Sequence, residues 1–217
     1  MKAVKEGFDL LDIKGVDRKV QHLFLEVLQE DDNGRLCANY KNGNSNIVDQ
    51  EVLSMSKLKL SSEGILPFSS ANPLSARSLY ISDSVANLIF FVQSCSSRFN
   101  WDYSAFIFIG AKLERELLLD AVRQYPFVKK HYAVFGHSLI GRVRDCKVQH
   151  WLNGEDCLFR VDGKDVVANY HGKDFMLPAS EFSLRNHMRQ LVVRQSLKTK
   201  KSKNKSIENF NLSSEGM

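Results

Sequence analysis

Four segments decide the fold: LYISDSVANLIFFV at residues 79–92, AFIFI at 105–109, KLERELLLDAVRQ at 112–124 and YAVFGHSLIGR at 132–142. The first opens with a short apolar strand at 79–82. A helix over 84–97 follows, because Val85, Leu88, Ile89 and Val92 recur at helical spacing. The run at 105–109 is apolar without interruption, as a strand covered on both faces requires. Residues 112–124 form an amphipathic helix with Leu113, Leu117 and Val122 inward and Lys112 and Glu114 in water. Pro126 marks its end. A third strand at 132–135 and a third helix at 139–151 complete an alternating β-α series, which predicts a parallel sheet with right-handed crossovers.

Outward from this core the patterns change. Residues 20–29 read as a strand with Leu23, Leu25 and Val27 on one face, turning at Asp31-Asp32-Asn33-Gly34 into a return strand at 35–40. Asn42-Gly43-Asn44 is a second turn, and the Ser-rich segment 61–78 with Pro67 and Pro73 reads as loop. On the other side, 157–161 and 166–170 flank Asp162-Gly163-Lys164 as a hairpin, 175–177 adds a short strand, and 182–196 forms a helix. The expected protein is α/β, with a mostly parallel central sheet around a βαβαβ core, a β-rich N-terminal section, and a C-terminal β-hairpin plus helix. Its divisions are 1–78, 79–152 for the core, 153–197, and a disordered basic tail over 198–217.

Composition is that of a globular chain: 217 residues, 43% hydrophobic and 25% charged. The first dozen residues are charged and the apolar runs are too short to span a bilayer, so a cytoplasmic protein without a membrane partner is expected. Cys37, Cys95, Cys146 and Cys157 show no CxxC spacing and read as reduced thiols. Cys146 and His150 can share a helix face, but one such pair does not make a metal site, and no metal or cofactor is expected.

Residues 135–141, Phe-Gly-His-Ser-Leu-Ile-Gly, follow a strand and open a helix. They resemble the nucleophile elbow of α/β-hydrolases, which would make Ser138 a nucleophile. That elbow needs a small residue two places after the serine. Ile140 stands there, and the glycine arrives one place late at Gly141. Histidines and acids follow at His150, His171 and His187 and at Asp156, Asp165 and Asp174, so a serine hydrolase remains the alternative reading.

The element order, with Tyr80-Ile81-Ser82-Asp83-Ser84 after the first core strand and Gly136-His137-Ser138-Leu139-Ile140-Gly141-Arg142 after the third, resembles a Toprim domain over residues 20–150. The primase-like Toprim proteins of bacterial mobile elements are the members it is most similar to. That family ends one strand in Glu-Gly and a later one in Asp-x-Asp, often followed by x-x-Gly-Arg, and its carboxylates hold magnesium for phosphoryl chemistry on nucleic acid. Asp83 stands where the glutamate belongs and Ser84 where its glycine belongs. Gly136 and Ser138 replace the aspartates, while Gly141-Arg142 are retained. The resemblance therefore implies a non-catalytic, nucleic-acid-associated protein of DNA replication or of mobile elements, with Asp83, His137 and Ser138 as remnants of a site that has lost its metal. A plainer reading makes Asp83 the cap of the helix from Ser84.

Five of the chain's lysines, at 198, 200, 201, 203 and 205, sit in the last 20 residues against two glutamates, so much of the +5 net charge is there. Such an arm binds phosphates by counterion release. Lys198, Lys200, Lys201, Lys203 and Lys205, with Arg142, Arg185 and Arg189, are the candidate DNA or RNA contacts. Arg194 drifts off the face shared by Arg185 and Arg189. The same arm can also serve only as a solubilising tail. Trp101, Tyr103, Phe106 and Phe108 read as core around a buried strand, as do Phe90 and Phe91. A protein-interaction module with no nucleic-acid role is the third reading.

Overall fold

The computed structural model describes residues 7–70 and 72–201. The chain starts with two short helices, α1 (Asp9–Ile13) and α2 (Arg18–Leu23). The second overturns the strand expected from residue 20. Val16, Val20 and Phe24, all buried, repeat at the four-residue spacing of a helix face. That stripe outweighs the alternation of Leu23, Leu25 and Val27, of which only Val27 is fully buried.

Strands β1 (Leu28–Glu30), β2 (Leu36–Lys41), β3 (Ile47–Leu53) and β4 (Leu58–Lys59) form an antiparallel meander, with the expected turn at Asp31. There Asp31 Oδ1 accepts the Asn33 and Arg35 N–H groups. The segment read as loop contains β5 (Ile65–Ser69), whose Pro67 hides it. Gly110 N–H donates to Gly64 O. The bonded positions are therefore the even ones, and Pro67 lacks its N–H on the side where β2 has stopped pairing, at Lys41↔Ile65.

The core then alternates: β6 (Ser78–Ser82), α3 (Val85–Ser94), β7 (Ser104–Ile109), α4 (Arg115–Arg123), β8 (Lys130–Ala133) and α5 (Leu139–Leu152). It is followed by β9 (Leu158–Asp162), β10 (Asp165–Tyr170), β11 (Lys173–Pro178), α6 (Leu184–Leu191) and β12 (Lys198–Thr199). The large sheet runs β12-β8-β6-β7-β5-β2-β3-β4, with β1 on β2, and β9–β11 form a separate antiparallel sheet. Only β12-β8, β8-β6 and β6-β7 are parallel, so the sheet is mixed rather than mostly parallel. Lys198 and Thr199 pair with Tyr132 and Ala133, which moves the start of any disordered tail past them. Lys203 and Lys205 lie outside the described residues.

Alternation along β7 shows how the two faces are filled. Phe106 and Phe108 join Phe8, Phe24, Leu88 and Ile89 on one face. Ala105, Ile107 and Ile109 join Leu118, Cys146, Val148 and Trp151 on the other. From β6 the chain crosses by α3 to β7, then by α4 past β6 to β8. A right-handed crossover in opposite directions puts α3 and α4 on opposite faces. The sheet therefore has a topological switch point between the carboxyl ends of β6 and β8, where open α/β sheets bind ligands. Among the described residues no helix is long and apolar enough to cross a membrane.

Candidate functional site

At the switch point two loops meet, Ser82-Asp83-Ser84 after β6 and residues 134–138 after β8. Ser82 Oγ lies 3.0 Å from the carbonyls of both Ser84 and Val134, bridging the two strand ends. Ser84, rather than Asp83, is the helix cap, its Oγ accepting Asn87 N–H at 3.1 Å. Beneath α3 lies Glu51 of β3, 2% exposed. Its carboxylate accepts Ser84 Oγ–H at 2.6 Å, Val85 N–H at 2.8 Å, Ala86 N–H at 3.0 Å and the Tyr40 hydroxyl at 2.9 Å. A glutamate from a neighbouring strand thus satisfies the open N–H groups of the helix. Burial nevertheless raises its pKa above the usual carboxylate value, against the lowering by those bonds.

Asp83 points toward α5 and pairs with Arg144, whose other nitrogen reaches Ala111 O at 3.3 Å. Next along α5, Asp145 is 2% exposed and pairs with Lys201, whose Nζ lies 2.8 Å from Asp145 Oδ2 and 3.0 Å from Gly136 O. Burial outweighs that lysine and raises the Asp145 pKa to about 6. The chain's own cations therefore hold both carboxylates, each with its second oxygen buried and without a hydrogen-bond partner among the described residues. With both carboxylates already paired, this donor set does not fit the magnesium of the resembled family, which would have to displace Arg144 and Lys201. Glycine stands at 136, and Ser138 Oγ is the cap of α5, accepting Gly141 N–H at 3.2 Å. Gly141 is there for packing. A Cβ on it would lie 2.3 Å from Gly136 O, so the helix starts directly on that carbonyl.

Beside this crevice, between α5 and the β9–β10 hairpin, lies a groove of about 440 Å³. Its floor is apolar, with Leu139, Ile140, Val143 and Phe159. Lys112, Arg144, Lys147 and Arg160 also line it, and no carboxylate does. Ile140 is 53% exposed there. It is the residue that spoils the elbow motif, and it lines the groove instead.

The remaining expected site residues are dispersed. His137 and Ser138 are exposed at the start of α5. Arg142 is half-buried and donates to Phe182 O at 3.0 Å, tying α5 to the segment before α6. Arg185 and Arg189 are exposed on α6, Lys198 on the edge strand β12, and Lys200 just after it. Lys200 also lies over the Tyr132 ring. Lys201 turns inward to Asp145. Phe106 and Phe108 are fully buried, as expected of core, whereas Tyr103, read the same way, is 47% exposed and Trp101 is half-buried. Glu51, Arg144 and the groove cations Lys112, Lys147 and Arg160 were missed. No local motif marks any of them, because each acts through residues far away in sequence.

No family model and no curated protein matches the chain. Several solved structures are similar to it, among them two of bacteriophage T7 proteins. One is the primase fragment of the bacteriophage T7 primase-helicase protein, 13% identical over 87% of this chain and 73% of that one, TM-score 0.44. The other is bacteriophage T7 lagging-strand DNA polymerase interacting with primase domains bound to an RNA/DNA hybrid and dTTP, 12% identical over 87% and 89%, TM-score 0.41. Likeness at this level assigns neither a fold family nor an activity.

Proposed function

We propose that the protein binds nucleic acid through the groove between α5 and the β9–β10 hairpin, without metal-dependent chemistry at the neighbouring crevice. The observation that carries this is the groove's lining, an apolar floor with the lysines Lys112 and Lys147 beside it, while the other two cations, Arg144 and Arg160, are held by Asp83 and Asp174. Bases stack on apolar and aromatic surface while lysine and arginine neutralise phosphates. The crevice supports the non-catalytic half of the reading, because Asp83 and Asp145 are already neutralised by Arg144 and Lys201. Lys198, Lys200, Lys203 and Lys205 form a second cationic element on this reading.

Fluorescence anisotropy with labelled single- and double-stranded DNA and RNA tests it. The proteins are the full chain, a truncation after Lys201, and Lys112→Glu/Lys147→Glu. Truncation must spare Lys201, since an earlier cut removes its pairing with Asp145. The double variant should weaken binding about tenfold or more and lower the salt slope by roughly two. If it binds as the full chain does while the truncation does not, the arm alone binds and the groove reading is wrong. If the full chain does not bind at low salt, nucleic acid is excluded and a protein partner takes its place.

A further inference from the structure

We infer that His150, Cys157 and His187 form a binding site for a zinc-like divalent transition metal, which joins α5, the residue before β9, and α6. One ligand atom from each lies within 4.8 Å of the others, and all three residues are buried. Their exposures are 0%, 1% and 0%. A tetrahedral zinc with imidazole and thiolate ligands needs separations of roughly 3.3–3.6 Å between ligand atoms, so the trio closes on the ion with small side-chain movements. Two imidazoles and a thiolate also suit zinc-like ions rather than magnesium or calcium.

The hydrogen bonding around the two imidazoles leaves room for the ion. His150 Nε2 and His187 Nε2 face each other at 2.9 Å. If a proton joins them, one ring keeps a bare Nδ1 and the other an N–H at Nδ1, and neither Nδ1 has a hydrogen-bond partner among the described residues. A metal between the Nε2 atoms puts an N–H on both Nδ1 atoms. For His150 an acceptor stands ready, since Glu155 Oε2 is 3.7 Å from its Nδ1 and is itself buried without a hydrogen-bond partner. A carboxylate behind a ligating histidine is the usual outer support of a metal site.

Local structure positions each ligand. His150 ends the last turn of α5. Gly154, with φ +81°, lets the chain reverse so that Glu155 N–H bonds back to His150 O at 2.9 Å, which brings Glu155 under the ring. Asp156 accepts both Trp151 Nε1–H and Cys157 N–H, fixing the start of β9. Ser183 caps α6, and His187 lies one turn on. Phe159, Phe182 and Tyr170 pack around the imidazoles and keep the place dry. A dication supplies the charge against which the thiolate forms, and the thiol proton leaves to solvent on loading. One water carried in with the ion completes the fourth position.

The test uses the full chain freed of metal by a chelator, then titrated with zinc in competition with a chromophoric chelator and separately loaded with cobalt. One zinc per chain is expected. The cobalt form should show a thiolate-to-metal charge-transfer band, lost in Cys157→Ser and kept in Cys146→Ser. Glu155→Gln should weaken zinc binding about 10- to 100-fold. A wild-type chain with no charge-transfer band overturns the site, as does a band that survives Cys157→Ser. The wild-type spectrum decides the matter even if Cys157→Ser does not fold.

Discussion

Replacing Glu51 by alanine leaves three buried donors without their acceptor, the N–H groups of Val85 and Ala86 and the Tyr40 hydroxyl. Ser84 Oγ loses its acceptor as well but still receives Asn87 N–H. Each stranded buried donor costs about 1–3 kcal/mol. The carboxylate's removal enlarges the residual cavity of about 10 Å³ beside it, lined by Leu36, Leu53 and Ile89, and a water bonded to the stranded donors there recovers part of this. The expected loss is about 3–5 kcal/mol, at the high end for single substitutions. Glu51→Gln keeps the shape and the oxygen facing Ser84 and Ala86. Its amide can donate to the Tyr40 hydroxyl oxygen, while Val85 N–H and the Tyr40 hydroxyl proton lose their acceptor, for about 2–3 kcal/mol. Urea unfolding followed by circular dichroism at neutral pH measures both. A loss below about 1 kcal/mol for the alanine variant, or equal losses for the two variants, would refute the claim that Glu51 holds the start of α3.

Two further predictions concern the crevice. Because burial raises the folded pKa of Asp145 to about 6 from 3.8, the folded state holds the extra proton between those values. Its contribution is fully present below the lower value and is lost as pH rises through the upper one, on the order of 3 kcal/mol. Wild type should therefore lose stability relative to Asp145→Asn as pH rises across that window, measured by urea unfolding at several pH values. The opposite trend would mean that Lys201 outweighs burial. Ser138→Ala should cost about 1 kcal/mol as a lost helix cap, and a fluorophosphonate probe should not label the wild-type chain. Labelling that disappears in the alanine variant would restore the serine-hydrolase reading.

Local pattern made the centre of the chain legible. The β6-to-α5 series, the Asp31 and Gly163 hairpins and the burial of Phe106 and Phe108 follow from periodicity and turn chemistry, which act over a few residues. The second helix and β5 were misread where two signals competed. A four-residue apolar stripe ran beside an alternating one at Val20–Val27, and Pro67 masked a strand whose missing N–H has no neighbour to serve.

Tertiary structure alone decided the rest. Whether a strand runs parallel or antiparallel depends on which partner it finds, and the polar strand carrying Asp49, Gln50 and Glu51 gave no local sign of lying in a large mixed sheet. The site residues follow the same rule. Asp83 meets Arg144 across 61 positions, Asp145 meets Lys201 across 56, and Glu51 reaches Val85 across 34. His150 and His187 stand 37 apart and face each other only because α5 and α6 pack together. A side chain's charge and reach are written in the sequence. Its partner, and hence its chemistry, exists only once the sheet has brought the two together.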